Sequence, residues 1–210
     1  AIRDLHPTQK GIDAGTSAKI AAEKQAAAER FRWLQRRFCK AVAKIGEAVS
    51  TEINRPQEHV YRPPENQITI KTGQKFDITT LDPSKKYLYI INEAGDAVLA
   101  PESQPGYKYS SGPRAGQPRV LKHRDLAPGP GGKTPGKARI GGEFYFSESE
   151  GTWIVDNSSS FSALRATRPG APSDLPPSPK ESLDATLEIF ELTGSDVSKI
   201  QTRDVIRRNQ

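Results

Sequence analysis

Cysteine and methionine are almost missing from this chain. Its 210 residues include one cysteine, Cys39, and no methionine, not even at position 1. A single cysteine excludes an internal disulfide framework and a cysteine-based zinc site. A first residue other than methionine predicts a fragment or a processed product, such as a domain released from a larger precursor, and a chosen chain boundary explains it equally well.

Long apolar stretches are also lacking. No apolar run approaches the roughly 20 residues needed to span a bilayer, so we predict no transmembrane segment. The first ten residues, AIRDLHPTQK, are too polar to form a signal peptide.

Apolar residues of every kind are scarce, at 34% of the chain, whereas glycine and proline contribute 17 residues each, which predicts long loops. Lysine and arginine outnumber the acidic residues by 31 to 25, a formal net charge of +6. A basic balance favours anionic partners such as nucleic acid, phosphates or acidic protein surfaces. A merely soluble basic protein is the other interpretation.

The first regular element is a long helix, predicted over residues 16–49. This stretch contains no proline and one glycine, Gly46, which could end the helix early. Its apolar residues recur at steps of three or four, which is one face of a helix about 50 Å long. They are Phe31, Leu34, Phe38, Val42, Ile45 and Val49. We therefore predict an N-terminal helical arm over 1–57 and a β-rich domain over 58–210.

The rest of the chain predicts an α+β fold with a compact, mostly antiparallel sheet. Apolar, β-branched and aromatic runs between turn residues predict strands. These cover 67–71, 76–79, 86–92, 97–100, 120–123, 142–147 and 152–156, with a long loop over 101–118. Residues 165–177 are too rich in proline for regular structure. Ser178 and Glu181 then form a capping box that opens a C-terminal helix, and Gly194 ends it.

A glycine-rich segment, APGPGGKT over residues 127–134, formally matches a phosphate-binding loop. That chemistry needs a helix to begin at the Lys-Thr pair. Pro135 and Gly136 follow at once, so the segment predicts a basic loop instead of a nucleotide hydrolase site.

The helix itself offers a candidate partner site. It is basic and amphipathic, with the bulky anchors Phe31, Trp33, Leu34 and Phe38. Such helices fit the groove of calmodulin-like partners, bind other acidic proteins, or lie on membrane surfaces. A partial IQ motif runs through Leu34, although Cys39 stands where that motif has arginine. Packing of the same stripe on the chain's own sheet is the alternative.

The polar residues also permit ADP-ribosyl transfer from NAD. That reaction uses an early basic residue to hold the dinucleotide, a serine pair to shape the pocket and a glutamate to stabilise an oxocarbenium-like state. Arg62 could supply the first, either Ser110 and Ser111 or Ser158 and Ser160 the second, and Glu150 or its neighbour Glu148 the third. Each of these elements is short and common, so a chance match is the other interpretation.

A third site candidate is His123, which lies among Arg119, Lys122 and Arg124. Cationic neighbours lower the pKa of a histidine and favour its neutral form. The whole segment from 114 to 139 carries seven lysines and arginines against one aspartate, which would also suit RNA or DNA.

The order of several blocks adds a resemblance. YLYIINEAGD, KHRDL, GGEFYF, WIVDNSSS, the capped helix and GSDVSKI follow one another over residues 67–200. This order resembles a domain of the plant IQ-motif-containing calmodulin-binding proteins, with similar domains in bacterial effectors and polymorphic toxins. By position His123, Gly142, Glu143, Asp156 and Asn157 match the family blocks. Ser160, Phe161 and Ser162 stand where the family has Gly, His and Tyr.

The resemblance implies a secreted bacterial effector or toxin domain. We predict His123, Glu143 and Glu150 as its catalytic candidates and NAD as its cofactor. Its partners would be a host or competitor target protein or RNA, with calmodulin or a cognate immunity protein as others. Such a domain would be secreted, or delivered into a target cell as part of a larger or processed protein. A non-catalytic interaction module that uses the basic helix is the alternative.

Overall fold

A computed structural model describes residues 9–50, 64, 66–109, 112–129, 136–167 and 178–206. Its ten helices and strands, in chain order, are α1 (Gln9–Ile45), β1 (Val49–Ser50), β2 (Ile68–Ile70), β3 (Tyr87–Asn92), β4 (Ala97–Pro101), β5 (Lys137–Ser147), β6 (Thr152–Asp156), α2 (Ser160–Thr167), α3 (Pro179–Leu192) and β7 (Ile200–Arg203). Short 3-10 helices lie at Ile78–Thr80, His123–Leu126 and Val197–Lys199. The predicted α+β class is confirmed.

The strands form one sheet in the order β2-β4-β3-β5-β6-β7, with β1 paired to the start of β5. Neighbouring strands are antiparallel, except that β7 runs parallel to β6. Successive residues of a strand point to opposite faces, and the apolar residues of β3 occupy both. The sheet is therefore covered on two sides.

The first face carries the larger core. Tyr89 and Ile91 of β3 pack there against Phe38 and Ile45 of α1 and Phe190 of α3. Burying an aromatic or branched side chain of this kind contributes roughly 1.5–3 kcal/mol. The last turns of α1 therefore belong to the core of the β-rich unit, whereas described α1 residues from Gly15 to Trp33 are exposed. The predicted boundary at 57 lies outside the described residues.

Ion pairs attach α1 to α3. Arg37 and Lys44 lie 3.0 and 2.9 Å from the two carboxylate oxygens of Glu188. The helix ends at Ile45, and Gly46 follows with a φ of 86°, a conformation that glycine adopts without strain. The early end that Gly46 suggested is confirmed.

The second face carries a smaller core. Leu88 and Ile90 of β3 pack there with Leu121, Leu126 and Phe161. The 3-10 helix His123–Leu126 and α2 cover this face, so its covering layer consists of short helices and the loops that join them.

Two predicted strands are wrong. Residues 76–79 turn into the 3-10 helix Ile78–Thr80 because the Asp77 side chain accepts the Thr79 N–H at 3.0 Å. Residues 120–123 are not a strand, since the chain enters the 3-10 helix at His123.

Three other strands or α-helices were not predicted: β1, α2 and β7. Val49, placed at the end of the predicted helix, belongs to β1 instead. Residues 165–167, expected to be irregular, belong to α2, while 168–177 lie outside the described residues. Among the described residues, none of the helices combines the length and apolarity needed to cross a membrane.

Candidate functional site

An open cavity of about 730 Å³ lies on the second face of the sheet. The 3-10 helix forms one wall, β5 the floor and the start of α2 the opposite wall. Its polar lining is Glu102, Lys122, His123, Arg124, Glu143 and Ser158–Ser160, and its apolar lining is Leu88, Leu121, Ala163, Val205 and Ile206. Concave sites of this size with a few convergent polar groups are the usual place for a ligand.

A buried ion pair holds the wall that carries His123. One Arg119 nitrogen (Nη2) donates to both oxygens of Asp125, at 2.6 and 2.8 Å, and Asp125 also accepts the Lys122 N–H at 2.8 Å. The Arg119 guanidinium lies 5.3 Å from the Tyr107 ring centre and 5.6 Å from that of Tyr109. Because both partners of the ion pair are buried, this turn is held rigidly beside the sheet.

His123 lies between this wall and the floor. Its Nε2 is 2.9 Å from the carbonyl oxygen of Gly142. A carbonyl can only accept, so Nε2 carries the proton and donates. Burial lowers the pKa of His123, and the hydrogen bond to Gly142 and the charge of Glu143 oppose that effect only in part. The ring is therefore neutral at pH 7, with Nδ1 as its remaining acceptor.

Glu143 stands on the floor, on the same face as His123. Its carboxylate lies 2.8 Å from Nζ of Lys86, and Glu102 lies 3.4 Å from the same nitrogen. Partial burial alone would lower the pKa of Lys86, but the bonds to Glu143 and Glu102 outweigh it and raise that pKa overall. One ammonium thus serves as the counter-ion of both carboxylates that line the cavity.

The glycine pair of β5 lets β6 and α2 come close to the floor. A Cβ on Gly142 would lie 1.9 Å from the carbonyl oxygen of Asp156, so no other residue fits there. Gly141 is clasped by Ser162, whose hydroxyl donates to the Gly141 carbonyl oxygen at 2.6 Å. Among the described strands, β5 pairs with β1 at its start and with β6 at its end. Between these two stretches α2 packs against β5 in place of a strand.

Asp156 organises the turn that leads into α2. Its Oδ1 accepts the N–H of Glu143 at 2.8 Å and that of Ser158 at 2.9 Å. Burial raises the pKa of Asp156, although these two bonds oppose the rise. The Tyr89 hydroxyl donates to the Asp156 carbonyl oxygen at 2.7 Å. Asp156 thereby fixes both Glu143 and the serine wall.

The segment that follows β7 completes the cavity. Asn157 donates to Asp204 at 2.8 Å and accepts the N–H of Val205 at 2.9 Å. Val205 and Ile206 are thus held against the opening.

Of the three catalytic candidates, the structure brings two together. His123 and Glu143 line the same cavity. Glu150 does not line it, because it lies in the β5–β6 turn, where it pairs with Arg203. Arg62, Ser110 and Ser111 lie outside the described residues. Glu150, the catalytic glutamate suggested by its place in the β5–β6 turn, is therefore separate from the cavity.

Sequence reasoning missed Lys86, Glu102 and Asp156 as groups of this site. Lys86 and Glu102 flank strands that pair with each other, so their approach follows from strand register. Asp156 was noted only for its match to the family blocks, with no role in the site. Strand pairing would have been needed to find them.

The proposed partner-binding residues of α1 divide into two sets. Phe31 and Trp33 are 51% and 48% exposed, whereas Phe38 is 5% exposed and packs on the sheet, with Leu34 half-buried between them. Phe38 is therefore unavailable to a partner in this structure. A groove of about 890 Å³ along α1 is lined by the cations Arg32, Arg36, Lys40 and Arg139.

The glycine-rich segment lies mainly outside the described residues, at 130–135. The described chain after it is strand β5 from Lys137, whereas a phosphate-binding loop is followed by a helix. Within the described ranges, no group of three His, Cys, Asp or Glu side chains could hold a metal ion.

Comparisons with known protein families, with characterised proteins and with solved structures find no match to this chain.

Proposed function

We propose that this chain is a secreted or delivered effector or toxin domain whose cavity binds NAD and catalyses ADP-ribosyl transfer. The observation that carries the proposal is the position of Glu143, a carboxylate beside a neutral histidine in an open cavity of about 730 Å³. The resemblance in block order to bacterial effector domains supports the same direction.

In the proposed reaction, the bond between the nicotinamide nitrogen and ribose C1 breaks. Its electron pair passes to the nicotinamide ring, which leaves as a neutral base. A nucleophile of the target, or water, bonds to C1 and gives its proton to solvent. Positive charge develops on the ribose as the bond breaks, and a carboxylate placed beside it stabilises that charge. Glu143 has this role, and Lys86 orients it.

Release of nicotinamide from NAD tests the proposal, in the presence and absence of a cell extract that supplies acceptors. We expect Glu143→Gln to lower the rate by about 100-fold or more, since it removes the stabilising charge and keeps the shape. Glu150→Gln is the matched control and should keep the wild-type rate, because Glu150 lies outside the cavity.

No release by the wild-type protein, or equal losses in the two variants, would refute the proposal. Expression in bacterial and eukaryotic hosts gives a second readout. Toxicity that Glu143→Gln removes and Glu150→Gln retains would support an enzyme.

A second candidate function is an interaction module. The exposed side chains of Phe31 and Trp33, on a helix that also carries Arg32, Arg36 and Lys40, favour it. Apolar anchors among cations suit an acidic protein such as calmodulin. We expect binding of calmodulin, measured by calorimetry, to be lost on joint replacement of Phe31 and Trp33 by alanine. Lys180→Ala, on α3, should bind as the wild type does. Undiminished binding by the double variant would exclude this surface.

A further inference from the structure

The charges around the cavity do not cancel, and the excess lies at one end. Glu102 and Glu143 share the counter-ion Lys86. Asp125, next to the cavity wall, is neutralised by Arg119. Lys122 and Arg124 also line the cavity, yet neither pairs with a carboxylate within the described part of the chain. These two cations flank His123 in sequence, so the positive end is the wall made by the 3-10 helix.

Arg124 carries a second sign of an absent partner. Its Nε is buried, and no acceptor lies within hydrogen-bond reach in the described part of the chain. A buried donor without an acceptor costs about 1–3 kcal/mol, and more when it is charged. Native structures keep such groups rarely, and a ligand that supplies the acceptor is one explanation.

The wall across from Arg124 presents hydroxyl groups. Ser158 and Ser160 line the cavity, and their hydroxyls form no hydrogen bond in the parts of the chain that the structure describes. Ser159 is different, because its hydroxyl lies 3.1 Å from that of Ser162. Free hydroxyls and unpaired cations together are the donors that phosphate oxygens bind.

From these observations we infer that the end of the cavity formed by Lys122, Arg124, Ser158 and Ser160 binds the diphosphate of a nucleotide. This assignment rests on the proposed function, since it places the diphosphate of the dinucleotide at one end and its reacting ribose at Glu143. Of the two serine pairs that the sequence offers for the dinucleotide pocket, this assignment uses Ser158 and Ser160 and not Ser110 and Ser111. Lys122 and Arg124 take the place of Arg62.

Calorimetric titration with ADP, with adenosine and with inorganic pyrophosphate tests the inference without any turnover. We expect the wild-type protein to bind ADP and pyrophosphate, and to bind adenosine much more weakly. Arg124→Gln should weaken ADP binding by about tenfold or more, the effect of losing a charge-assisted hydrogen bond. Lys122→Gln, at an exposed position that tolerates substitution, should weaken it in the same direction. Arg114→Gln is the control, because Arg114 is exposed and does not line the cavity.

The outcomes separate the two proposals. Binding of ADP that depends on Arg124 and Lys122, without nicotinamide release, supports the diphosphate site and overturns the transfer reaction. Nicotinamide release with an unchanged KM for NAD in both variants overturns the diphosphate site alone. Absence of ADP and pyrophosphate binding by the wild-type protein overturns it as well.

Discussion

The Nε2 atom of His123 lies 2.9 Å from the carbonyl oxygen of Gly142, and this bond joins the wall of the cavity to its floor. It links the first residue of the 3-10 helix to a residue of β5 that lies 19 positions later. The same contact places the imidazole beside Glu143, the next residue of β5. Any change that displaces the ring therefore alters both the layer that covers the second face of the sheet and the candidate site.

Acidification should weaken the fold through His123. Burial holds the pKa of His123 below its ordinary value of 6.5, so between those two values the unfolded chain binds more protons than the folded one. The free energy of unfolding is then fully retained above pH 6.5 and falls as the pH drops below it. Urea unfolding from about pH 7.5 to about pH 5.5 measures this slope.

His123→Gln should make that slope smaller, because glutamine does not titrate. The raised pKa of Asp156 has the opposite effect on the free energy of unfolding at lower pH. There the folded state binds more protons than the unfolded one, so this contribution grows as the pH falls. An unchanged slope in the variant would show that His123 is not the group responsible.

Gly142→Ala should be among the most damaging single substitutions. The added Cβ would lie 1.9 Å from the Asp156 carbonyl oxygen, which belongs to the backbone of a paired strand and cannot turn away. We expect a loss at or above the upper end of the about 1–3 kcal/mol typical of overpacking.

Gly15→Ala is the matched control for that substitution. Gly15 lies in α1 with nothing within 4 Å of an added Cβ, and alanine there should stabilise the helix by up to about 1 kcal/mol. Chemical denaturation compares the two variants. Equal stabilities would contradict the close approach of β5 and β6.

Removal of Arg119 should destabilise the protein strongly. Its partner Asp125 is completely buried, so Arg119→Met leaves an uncompensated charge at a cost of about 3–5 kcal/mol. Lys180→Met breaks an exposed pair with Asp184, which solvent screens, and should leave the midpoint of unfolding almost unchanged. Thermal unfolding followed by circular dichroism distinguishes the two, and similar midpoints would argue against a buried pair.

Two phenylalanines one heptad apart on α1 should behave differently. Phe38→Ala removes a core side chain and should cost about 3–5 kcal/mol. Phe31→Ala alters a half-exposed surface residue and should change the free energy of unfolding by less than about 1 kcal/mol. Because the two side chains lie on the same face of α1, urea midpoints measured on both variants check how far along the helix the core extends. A costly Phe31→Ala would mean that α1 is covered further towards its start.

Local patterns were enough to predict the long helix, the capped helix and the strands at 86–92 and 152–156. Each carries its signal within a few residues, as with Ser178 and Glu181, whose side chains cap each other's backbone N–H groups. The strand predicted at 76–79 was wrong because a side-chain oxygen of Asp77 competes with strand pairing. Strand β7 escaped notice because it depends on a parallel neighbour, β6, which no local pattern encodes.

The site was only partly predictable, for a related reason. His123 and Glu143 were singled out by residue type and block order, and the structure places them in one cavity. Glu150 matched the same reaction by spacing alone, and spacing along a hairpin does not say which face or end a side chain occupies. Lys86 and Glu102 needed the register of β3 and β4, which a single sequence does not specify.

The ion pair between Arg37 and Glu188 joins residues that are 151 positions apart in sequence. This separation sets how long α1 waits for α3 during synthesis. During synthesis α1 leaves the ribosome with Phe38, Ala41 and Ile45 exposed on one side. The residues of α3 that complete their cover follow roughly 8–30 s later, at about 5–20 residues per second. Throughout that interval the helix presents an apolar stripe to whatever it meets. Until α3 is made, this stripe is a surface through which the incomplete chain can associate with other proteins.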